Sequence, residues 1–407
     1  MATTSVARPA LHPREHVVDE PRQRQPVQTW AWFGVAWLVF WAYVLIRWVA
    51  GPYFHSVPTG PVQPPSWMRV LFTSWQAAAL PLVAVALFLL VIRSWRRDHT
   101  VPLDGLLFIG FVFMSLQDAG SDFFGYWYTT NSHLLNMGSF YNDIPGWLGF
   151  GRPGAQVAWV PLFHLIEYPF GMFVPVLGGC WLMRKVRARW HMPAAALVAM
   201  IYPLMMVWDM LIEGAFTNLG FYTMAGGRLS FFPDSYSKFP LIEPVLIATL
   251  LTPVVALRFF KNDRGETVVE RGVSRLRVSA GRKVLLRALA VIGFLQLNYL
   301  VMYNIPIAAY MGAKPGTWPA QIQAYPYFTD HLCGATTNRL CPGPGIPLTQ
   351  QAWVSAQPGL SRGRLRGPGS QLGTRGAELS ARELKVVPLG SRLLVPFSGR
   401  FLGDRSR

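Results

Sequence analysis

The chain has 407 residues, 52% of them hydrophobic and 14% charged, with a formal net charge of +17 and a mean hydropathy of +0.28. Soluble domains carry about 25% charged residues, so the composition excludes an ordinary soluble domain and indicates a polytopic membrane protein. The basic residues gather in short runs between apolar segments, which is typical of cytoplasmic loops and argues against nucleic-acid binding.

The chain begins with a polar segment and continues with apolar segments of membrane-spanning length. Residues 1–28 are rich in proline and arginine and lack the apolar core of a cleaved signal peptide, so we expect a disordered cytoplasmic tail. Residues 29–312 predict an all-α membrane helix bundle of about seven transmembrane helices. We place the spans at 29–50, 67–92, 101–116, 156–183, 192–211, 239–260 and 284–310.

The charges of the connecting segments alternate along the chain. Basic residues are concentrated in 1–28, 93–99, 184–189 and 258–283, whereas the other connections, including the long loop 117–155, hold one or two each. Cytoplasmic loops are enriched in lysine and arginine. The pattern therefore predicts a multi-pass protein of the plasma membrane with a cytoplasmic N-terminus and with loop 117–155 on the outer side.

Two further segments follow the last span. Residues 313–347 form a predicted outer loop in which Cys333 and Cys341 lie close enough in sequence for a disulfide bond, whereas Cys180 falls in an apolar span and is expected to be inert packing. Three cysteines are too few for a disulfide framework or a cysteine zinc site. Residues 348–407 are basic and lack a helix or strand period, so we interpret them as a disordered tail that need not belong to the functional protein.

Ionisable side chains cluster in the halves of the spans that are predicted to face outward. These are Asp118 and Asp122 at the end of the third span, His164 and Glu167 in the fourth, Asp209 and Glu213 at the end of the fifth, and Glu243 at the start of the sixth, while Asn298 lies in the seventh. The two groups of the fourth span are three residues apart and those of the fifth are four apart, so each pair shares a helix face. Charged groups inside spans usually face a wet cavity, and we therefore predict one pocket open to the outer face.

Each of these groups also has an ordinary structural explanation. The two aspartates of the third span would cap a helix end in headgroup water, the His164–Glu167 pair would tie two helices together, and Glu243 would lie at the membrane surface. The aromatic run at 123–128 is more typical of an interfacial belt than of a pocket wall. The convergence of five spans on one depth favours the catalytic interpretation, in which crowded carboxyl groups supply a general acid and a general base.

A metal site and a nucleotide cofactor are less consistent with the pattern. Carboxylates and histidine at helical spacings suit iron, zinc or manganese, but the spans hold a single HxxE and neither HExxH nor a repeated ExxH. The chain also lacks a glycine-rich phosphate loop that follows a strand. We therefore predict no bound metal and no cofactor.

Four segments resemble the AveC-like spirocyclase family of actinobacterial membrane proteins. They are QDAGSDFFGYWYTTNSHLLNMGSFYNDIPGW after the third span, PLFHLIEYPFGM, MMVWDMLIEGAF and DHLCGATTNRLCPGPG, and the resemblance extends over residues 30–347. It implies closure of a spiroketal on a polyketide, linked to loss of water at an adjacent position. The implied substrate is a hydrophobic dihydroxyketone or hemiketal.

Under this resemblance the ionisable cluster supplies the catalytic groups. Glu167, the deepest of them, would protonate the departing hemiketal oxygen, and His164 would orient it or relay its proton. Asp209 or Glu213 would stabilise the oxocarbenium ion, and the two aspartates of the third span would bind hydroxyl groups or act as the base. Substrate contacts are predicted at His133, Asn131, Asn136, Trp127, Tyr128, Glu243 and Asn298.

Three other functions are alternatives to an enzyme of this kind. A small-molecule or proton-coupled transporter usually shows internal repeats and a site reachable from both faces, and the sequence shows neither pattern. A metal-dependent membrane lipid hydrolase would need a metal site, and a scaffold in a biosynthetic complex would need no catalytic groups. The predicted partners are a hydrophobic small molecule and the lipid bilayer, without nucleic acid.

Overall fold

The computed structural model describes residues 25–123, 125–147, 159–313 and 316–329. Seven helices in this part of the chain are long and apolar enough to cross a membrane, which confirms the predicted all-α helix bundle. They are α1 (Pro26–Ala50), α2 (Ser66–Asp98), α3 (Leu103–Asp122), α4 (Pro161–Arg189), α5 (Ala194–Asn218), α6 (Ile242–Phe259) and α7 (Ala280–Ala313). Most of the predicted N-terminal tail, the two cysteines at 333 and 341, and the tail 348–407 lie outside the described residues.

Short strands and single helical turns form the connections at one end of the bundle. The strands are β1 (Tyr128–Thr130), β2 (Tyr222–Met224), β3 (Ser230–Phe231) and β4 (Phe239–Pro240), and β1 pairs antiparallel with β2 as β3 does with β4. Short 3-10 helices occur at Tyr141–Asp143, Ala320–Ala324 and Pro326–Phe328 at this end, and at Val273–Arg275 between α6 and α7 at the opposite end. The β1–β2 pair joins the loop after α3 to the loop after α5, so two distant parts of the chain share one small sheet.

Two of the helices that extend beyond their predicted ends, α3 and α5, carry acidic residues of the predicted site in their extensions. α3 continues as a 3-10 turn over Ser115–Asp122, so the loop predicted to begin at 117 starts later. α5 runs to Asn218 rather than to 211, which places Asp209 and Glu213 inside the helix. Mean hydropathy falls at these positions, but the side chains of Asp122 and Asp209 are buried in the bundle. The backbone therefore stays helical where the sequence pattern predicts an end.

The first and last spans cross with their backbones in contact. A Cβ at Gly34 of α1 would lie 2.0 Å from the carbonyl oxygen of Leu289, and one at Gly293 of α7 would lie 2.3 Å from that of Trp30. Only glycine permits so close an approach, as in the small-residue crossings of other membrane helices. These two glycines bring α1 directly against α7.

Irregular turns interrupt the spans beside the polar residues. α4 contains a π turn over Glu167–Met172 and α7 contains one over Leu300–Asn304, and turns of this kind are frequent at functional sites. In α7 the turn brings Asn304 Nδ2 to the carbonyl oxygen of Gln117 in α3, at 3.1 Å. The 3-10 end of α3 is thereby fixed against the π turn of α7.

The connections 125–147, 219–241 and 316–329 pack together as a loop layer over the end of the bundle. The backbone N–H of Asn131 donates to Phe221 at 2.8 Å, and that of Ser132 donates to Tyr327 at 2.7 Å. Lys238 Nζ donates to the carbonyl oxygens of Ala225 and Thr317 at 2.7 and 2.9 Å. The long loop after α3 is therefore an integral part of the fold that covers the polar ends of the spans.

The opposite end of the bundle carries the basic residues. Arg258 at the end of α6 donates to both oxygens of Asp104 at the start of α3, at 2.7 and 2.8 Å. Arg287 of α7 donates to Glu270 at 2.7 Å. These ion pairs fix the loop between α6 and α7, in which Glu266 is almost fully buried.

Glu266 gives this basic end a defined response to acid. Burial alone would raise the pKa of its carboxyl group, but hydrogen bonds from Ser274, Asn262 and Gly272 lower the pKa from 4.5 to about 2. A carboxyl group with a depressed pKa contributes stability that is complete above its unfolded-state pKa and is lost as the pH falls through its folded-state pKa. Glu266→Gln should therefore lower the free energy of unfolding by about 3 kcal/mol at neutral pH.

The difference in the free energy of unfolding between the unmodified protein and Glu266→Gln should shrink towards zero as the pH falls from 4.5 to 2. Thermal unfolding of both proteins in detergent at pH 7, 4 and 2 measures it. A deficit that does not change with pH would contradict an electrostatic role for Glu266.

Candidate functional site

Beneath the loop layer, five of the seven spans enclose a cavity. Its empty volume is about 340 Å³. The lining residues are Asp118 of α3, Trp127, Tyr128 and Thr130 of the following loop, Phe163, His164 and Glu167 of α4, Glu213 of α5, Tyr222 and Met224 of β2, Glu243 of α6 and Tyr303 of α7. Carboxyl groups from four separate helices thus line one space, to which α7 adds the phenol of Tyr303.

Phenol hydroxyl groups surround the carboxyl group of Asp118. Tyr128 donates to Oδ2 at 2.5 Å and Tyr168 donates to Oδ1 at 2.6 Å, while the hydroxyl of Tyr299 lies 3.4 Å from Oδ1 and 2.7 Å from that of Tyr168. An ionised carboxylate only accepts hydrogen bonds, and Asp118 is placed as such an acceptor. Burial, and then the charge of Asp118, raise the pKa of Tyr128 well above its usual value, so this phenol keeps its proton.

His164 lies between two carboxyl groups. Its Nδ1 is 2.9 Å from Oε2 of Glu167, one turn further along α4, and its Nε2 is 3.8 Å from Oδ2 of Asp118. The imidazole is buried, with 3% of its surface exposed. Nδ1 lies at hydrogen-bond distance from Glu167, whereas 3.8 Å from Nε2 to Asp118 is too long for a direct bond. His164 can therefore pass a proton from α4 to α3 through an intervening water.

Glu243 forms another wall of the cavity, in the first turn of α6. Tyr303 of α7 donates to its Oε1 at 2.6 Å, and Trp127 Nε1 of the loop layer donates to its Oε2 at 3.1 Å. The residue is 1% exposed, so it is not the surface residue that its position at the start of the span also suggested. Glu243 instead joins α7 and the loop layer to the cavity.

The last three residues of the aromatic run, 126–128, belong to the interior of the protein rather than to an interfacial belt. Tyr126, Trp127 and Tyr128 are buried, and the last two line the cavity. The backbone N–H of Trp127 donates to Asp122 at 2.6 Å, and its carbonyl oxygen accepts from Ala225 at 2.8 Å. These bonds fold the run back over the spans, so Trp127 and Tyr128 form a pocket wall.

Asp209 lies near the cavity without lining it. It faces a second hollow, which shares Glu167 and Glu213 with the first. Of the six predicted catalytic residues, the first cavity thus brings together those at 118, 164, 167 and 213. Asp122 lines neither space, and its carboxylate caps the loop that follows α3.

Five predicted site residues do not line the first cavity and also lie outside the second hollow: Asp122, His133, Asn131, Asn136 and Asn298. Asn131 and Asn136 bond backbone groups of the loop layer at 3.0 and 2.8 Å. Asn298 joins α7 to a carbonyl oxygen of α6 at 2.8 Å, and His133 packs beside the ring of Phe72. These contacts stabilise the fold, and the geometry gives no support for a contact with substrate.

Sequence reasoning missed the tyrosines of the site: Tyr168, Tyr222, Tyr299 and Tyr303. A usable signal was present, because Tyr168 follows His164 by four residues and Tyr299 precedes Tyr303 by four, so each pair shares a helix face. Burial, and then the charge of Glu213, raise the pKa of Tyr222 well above its usual value, so this phenol too keeps its proton. The site is therefore a carboxyl, imidazole and phenol cluster rather than a carboxyl and imidazole cluster alone.

The polar residues of the site are not grouped as metal ligands. Within the part of the chain that the structure describes, no set of three or more His, Cys, Asp and Glu side chains has the geometry to hold a metal ion. Both nitrogens of His164 face carboxyl groups rather than an open coordination position. The arrangement suits proton transfer.

Comparison with known proteins identifies the family. The model of the family described as "Spirocyclase AveC-like" matches residues 95–328, a range that contains every residue lining the cavity and more than half of the chain. No curated protein and no solved structure matches the chain. The chain therefore belongs to the AveC-like spirocyclase family.

Proposed function

We propose that the protein is a membrane-embedded cyclase that closes a spiroketal on a hydrophobic, polyketide-like dihydroxyketone by acid–base catalysis, with loss of water. The observation that carries this proposal is His164 set between Glu167 and Asp118 in a cavity built by five spans. Family membership supports the reaction class. The phenol-surrounded carboxylate supports a positively charged intermediate.

The first step needs an acid, and we assign it to Glu167. Addition of one substrate hydroxyl group to the ketone gives a hemiketal. Glu167 in its protonated form donates to the hemiketal hydroxyl group, which leaves as water. Glu167 lines the cavity beside His164, which fixes the direction of its carboxyl group through the 2.9 Å contact.

The departure of water leaves an oxocarbenium ion, and we assign its stabilisation to Asp118. Its negative charge faces the cavity, where low polarity strengthens the attraction to a cation. The bonds from Tyr128 and Tyr168 hold the carboxylate in place before the charge develops. This assignment differs from the expectation that Asp209 or Glu213 plays the role. Asp209 faces the other hollow, and the bonds from Tyr128 and Tyr168 go to Asp118 rather than to Glu213.

The second substrate hydroxyl group then attacks the oxocarbenium carbon. Its proton passes to the carboxylate of Glu167, directly or through His164, which restores the starting acid. One dihydroxyketone is thereby converted into one spiroketal and one water, without an external proton donor. Glu213 and Glu243 border the cavity and can hold the two hydroxyl groups near the ketone, which lowers the entropic cost of closure.

We further propose that the protein lies in the plasma membrane with the cavity towards the outer side. The basic residues collect at the end of the bundle opposite the loop layer, for example in the ⁠last turns of α4 and at the end of α6. Cytoplasmic segments carry such an excess of lysine and arginine. A hydrophobic substrate would then reach the site in or beside the bilayer.

Purified protein in detergent, mixed with a synthetic dihydroxyketone that carries an alkyl chain, tests the proposed reaction. We expect a spiroketal to form at a rate well above that in buffer, with one configuration at the spiro carbon. Absence of turnover would overturn the proposal. Substrate-dependent flux in proteoliposomes without turnover would favour the transporter instead, and turnover that requires added metal would favour the metal-dependent hydrolase.

A further inference from the structure

A second hollow lies between α4, α5 and α6, next to the first cavity. Its empty volume is about 290 Å³. Most of its wall is apolar and consists of Met172, Trp208, Ile212, Phe216, Ile247 and Leu251. Such a lining suits a hydrocarbon chain rather than a polar reactant.

Two carboxyl side chains line both spaces. Glu167 and Glu213 border the first cavity on one side and the second hollow on the other. A ligand that reaches past these two carboxyl groups can therefore occupy both spaces at once. The reacting centre would lie beside Glu167, and an apolar extension would lie in the hollow.

One polar group in the second hollow lacks a partner. Asp209 is 3% exposed, and its Oδ2 is buried without a hydrogen-bond partner among the residues that the structure describes. Buried polar atoms are almost always hydrogen-bonded, because an unmet acceptor costs free energy. A hydroxyl group on a bound chain would satisfy this oxygen.

The backbone of α4 leaves room for such a chain. No heavy atom lies within 4 Å of the position that a Cβ would take at Gly171, which lines the hollow within the π turn. The carbonyl oxygen of Gly171 accepts a hydrogen bond from Trp208 Nε1 of α5 at 3.0 Å, so the turn is held in place. The open side of Gly171 is thus a fixed feature of the wall.

From the shared carboxyl groups, the apolar wall and the unmet Asp209 oxygen, we infer that the second hollow binds an aliphatic arm of the substrate that carries a hydroxyl group. This hydroxyl group donates to Asp209, while the ketal-forming segment occupies the first cavity. The inference rests on the proposed function and adds to it a second substrate-binding site.

A pair of matched substrates and a pair of matched variants test the inference. The substrates share the reacting dihydroxyketone, and one carries a hydroxylated octyl arm where the other ends in a methyl group. Gly171→Leu fills the hollow, and Gly178→Leu is the control, because Gly178 lies in the same helix, also has nothing within 4 Å of a Cβ position, and does not line the hollow.

We expect Gly171→Leu to lower kcat/KM for the long substrate by at least about 30-fold, since the arm loses its apolar site. The same variant should change kcat/KM for the short substrate by less than about 3-fold, and Gly178→Leu should leave both values near those of the unmodified protein. Equal losses for both substrates in Gly171→Leu, or no loss for either, would overturn the inference.

The role of Asp209 has its own measurement. The ratio of kcat/KM for the hydroxylated arm to that for the same arm without its hydroxyl group should fall by about 10-fold or more in Asp209→Asn. An unchanged ratio would overturn the inference that the hydroxyl group of the arm donates to Asp209. Because the ratio compares two substrates in one variant, a general loss of activity does not affect it.

Photo-crosslinking separates the binding site from the reaction. An analogue in which the ketone is reduced to an alcohol, with a diazirine on the hydroxylated arm, should crosslink to residues of the hollow such as Met172 and Ile212 in the full-length protein. Crosslinks only at other sites would overturn the inference. Crosslinks in the hollow together with no turnover of either substrate would support the second binding site while rejecting the proposed spirocyclase reaction.

Discussion

Replacement of Glu167 by glutamine is expected to lower turnover of the dihydroxyketone by about 10³-fold, with the helix bundle retained. Glutamine keeps the size of the side chain and its contact with His164, but its amide protons are not acidic enough to be given to the departing hydroxyl group. General acids contribute about 10²–10⁴-fold to such reactions. Single-turnover kinetics on purified protein measure the loss in the chemical step.

Glu266→Gln is the matched control for this variant. It makes the same chemical change in the loop between α6 and α7, outside the first cavity and the second hollow. It should reduce stability without reducing turnover per folded molecule, and size-exclusion chromatography gives the folded fraction of both proteins. If Glu167→Gln keeps a tenth or more of the turnover, Glu167 is not the acid.

The seven spans could be predicted because hydropathy alone determines which segments enter a bilayer. Their ends could not be predicted equally well. At Asp118 and Glu213 the sequence turns polar, and the predicted spans end just before these residues. In the structure the helices continue through these residues, because the polar side chains meet partners or hollows inside the bundle.

The carboxyl groups and the histidine of the site could be predicted for a similar reason, since charge inside a span is costly and usually functional. Tyrosine gives no such signal. Tyrosine is common at membrane interfaces, so the run that contains Tyr128 is more typical of an interfacial belt than of a pocket wall. The sequence pattern does not predict a role for Tyr168 or Tyr299. Their role depends on three-dimensional contacts with Asp118 that no spacing in one helix reveals.

Two asparagine residues were predicted to contact substrate but do not line the cavity. Asn131 and Asn136 follow the third span among aromatic and ionisable residues, and their amides suggested contacts with substrate hydroxyl groups. In the structure they bond backbone groups of the loop layer instead. Asparagine commonly satisfies turn backbones in this way, and the composition of the loop does not distinguish this role from a role in binding.

Asp104→Asn is the control for the catalytic role assigned to Asp118, because both residues lie in α3. Asp104 and Asp118 stand at opposite ends of α3, and Asp104 is paired with Arg258 at the basic end. Asp104→Asn should therefore weaken the packing of α3 against α6 while leaving turnover per folded molecule unchanged. Any loss of turnover that is specific to position 118 then reports on the cavity rather than on the helix.

Asp118→Asn should lower turnover by about 10²–10³-fold, the effect of removing one preorganised charge from a transition state. Asparagine removes the negative charge that offsets the oxocarbenium ion. Its NH2 group also replaces one of the two acceptor oxygens, so it faces the donor hydroxyl group of either Tyr128 or Tyr168. Tyr299→Phe, which removes only a 3.4 Å contact, should cost less than about 10-fold. Stopped-flow measurement of spiroketal formation for the three proteins gives the order of these effects. If Asp118→Asn and Tyr299→Phe lose turnover equally, the phenol network orders the fold and the charge of Asp118 does not act on the intermediate.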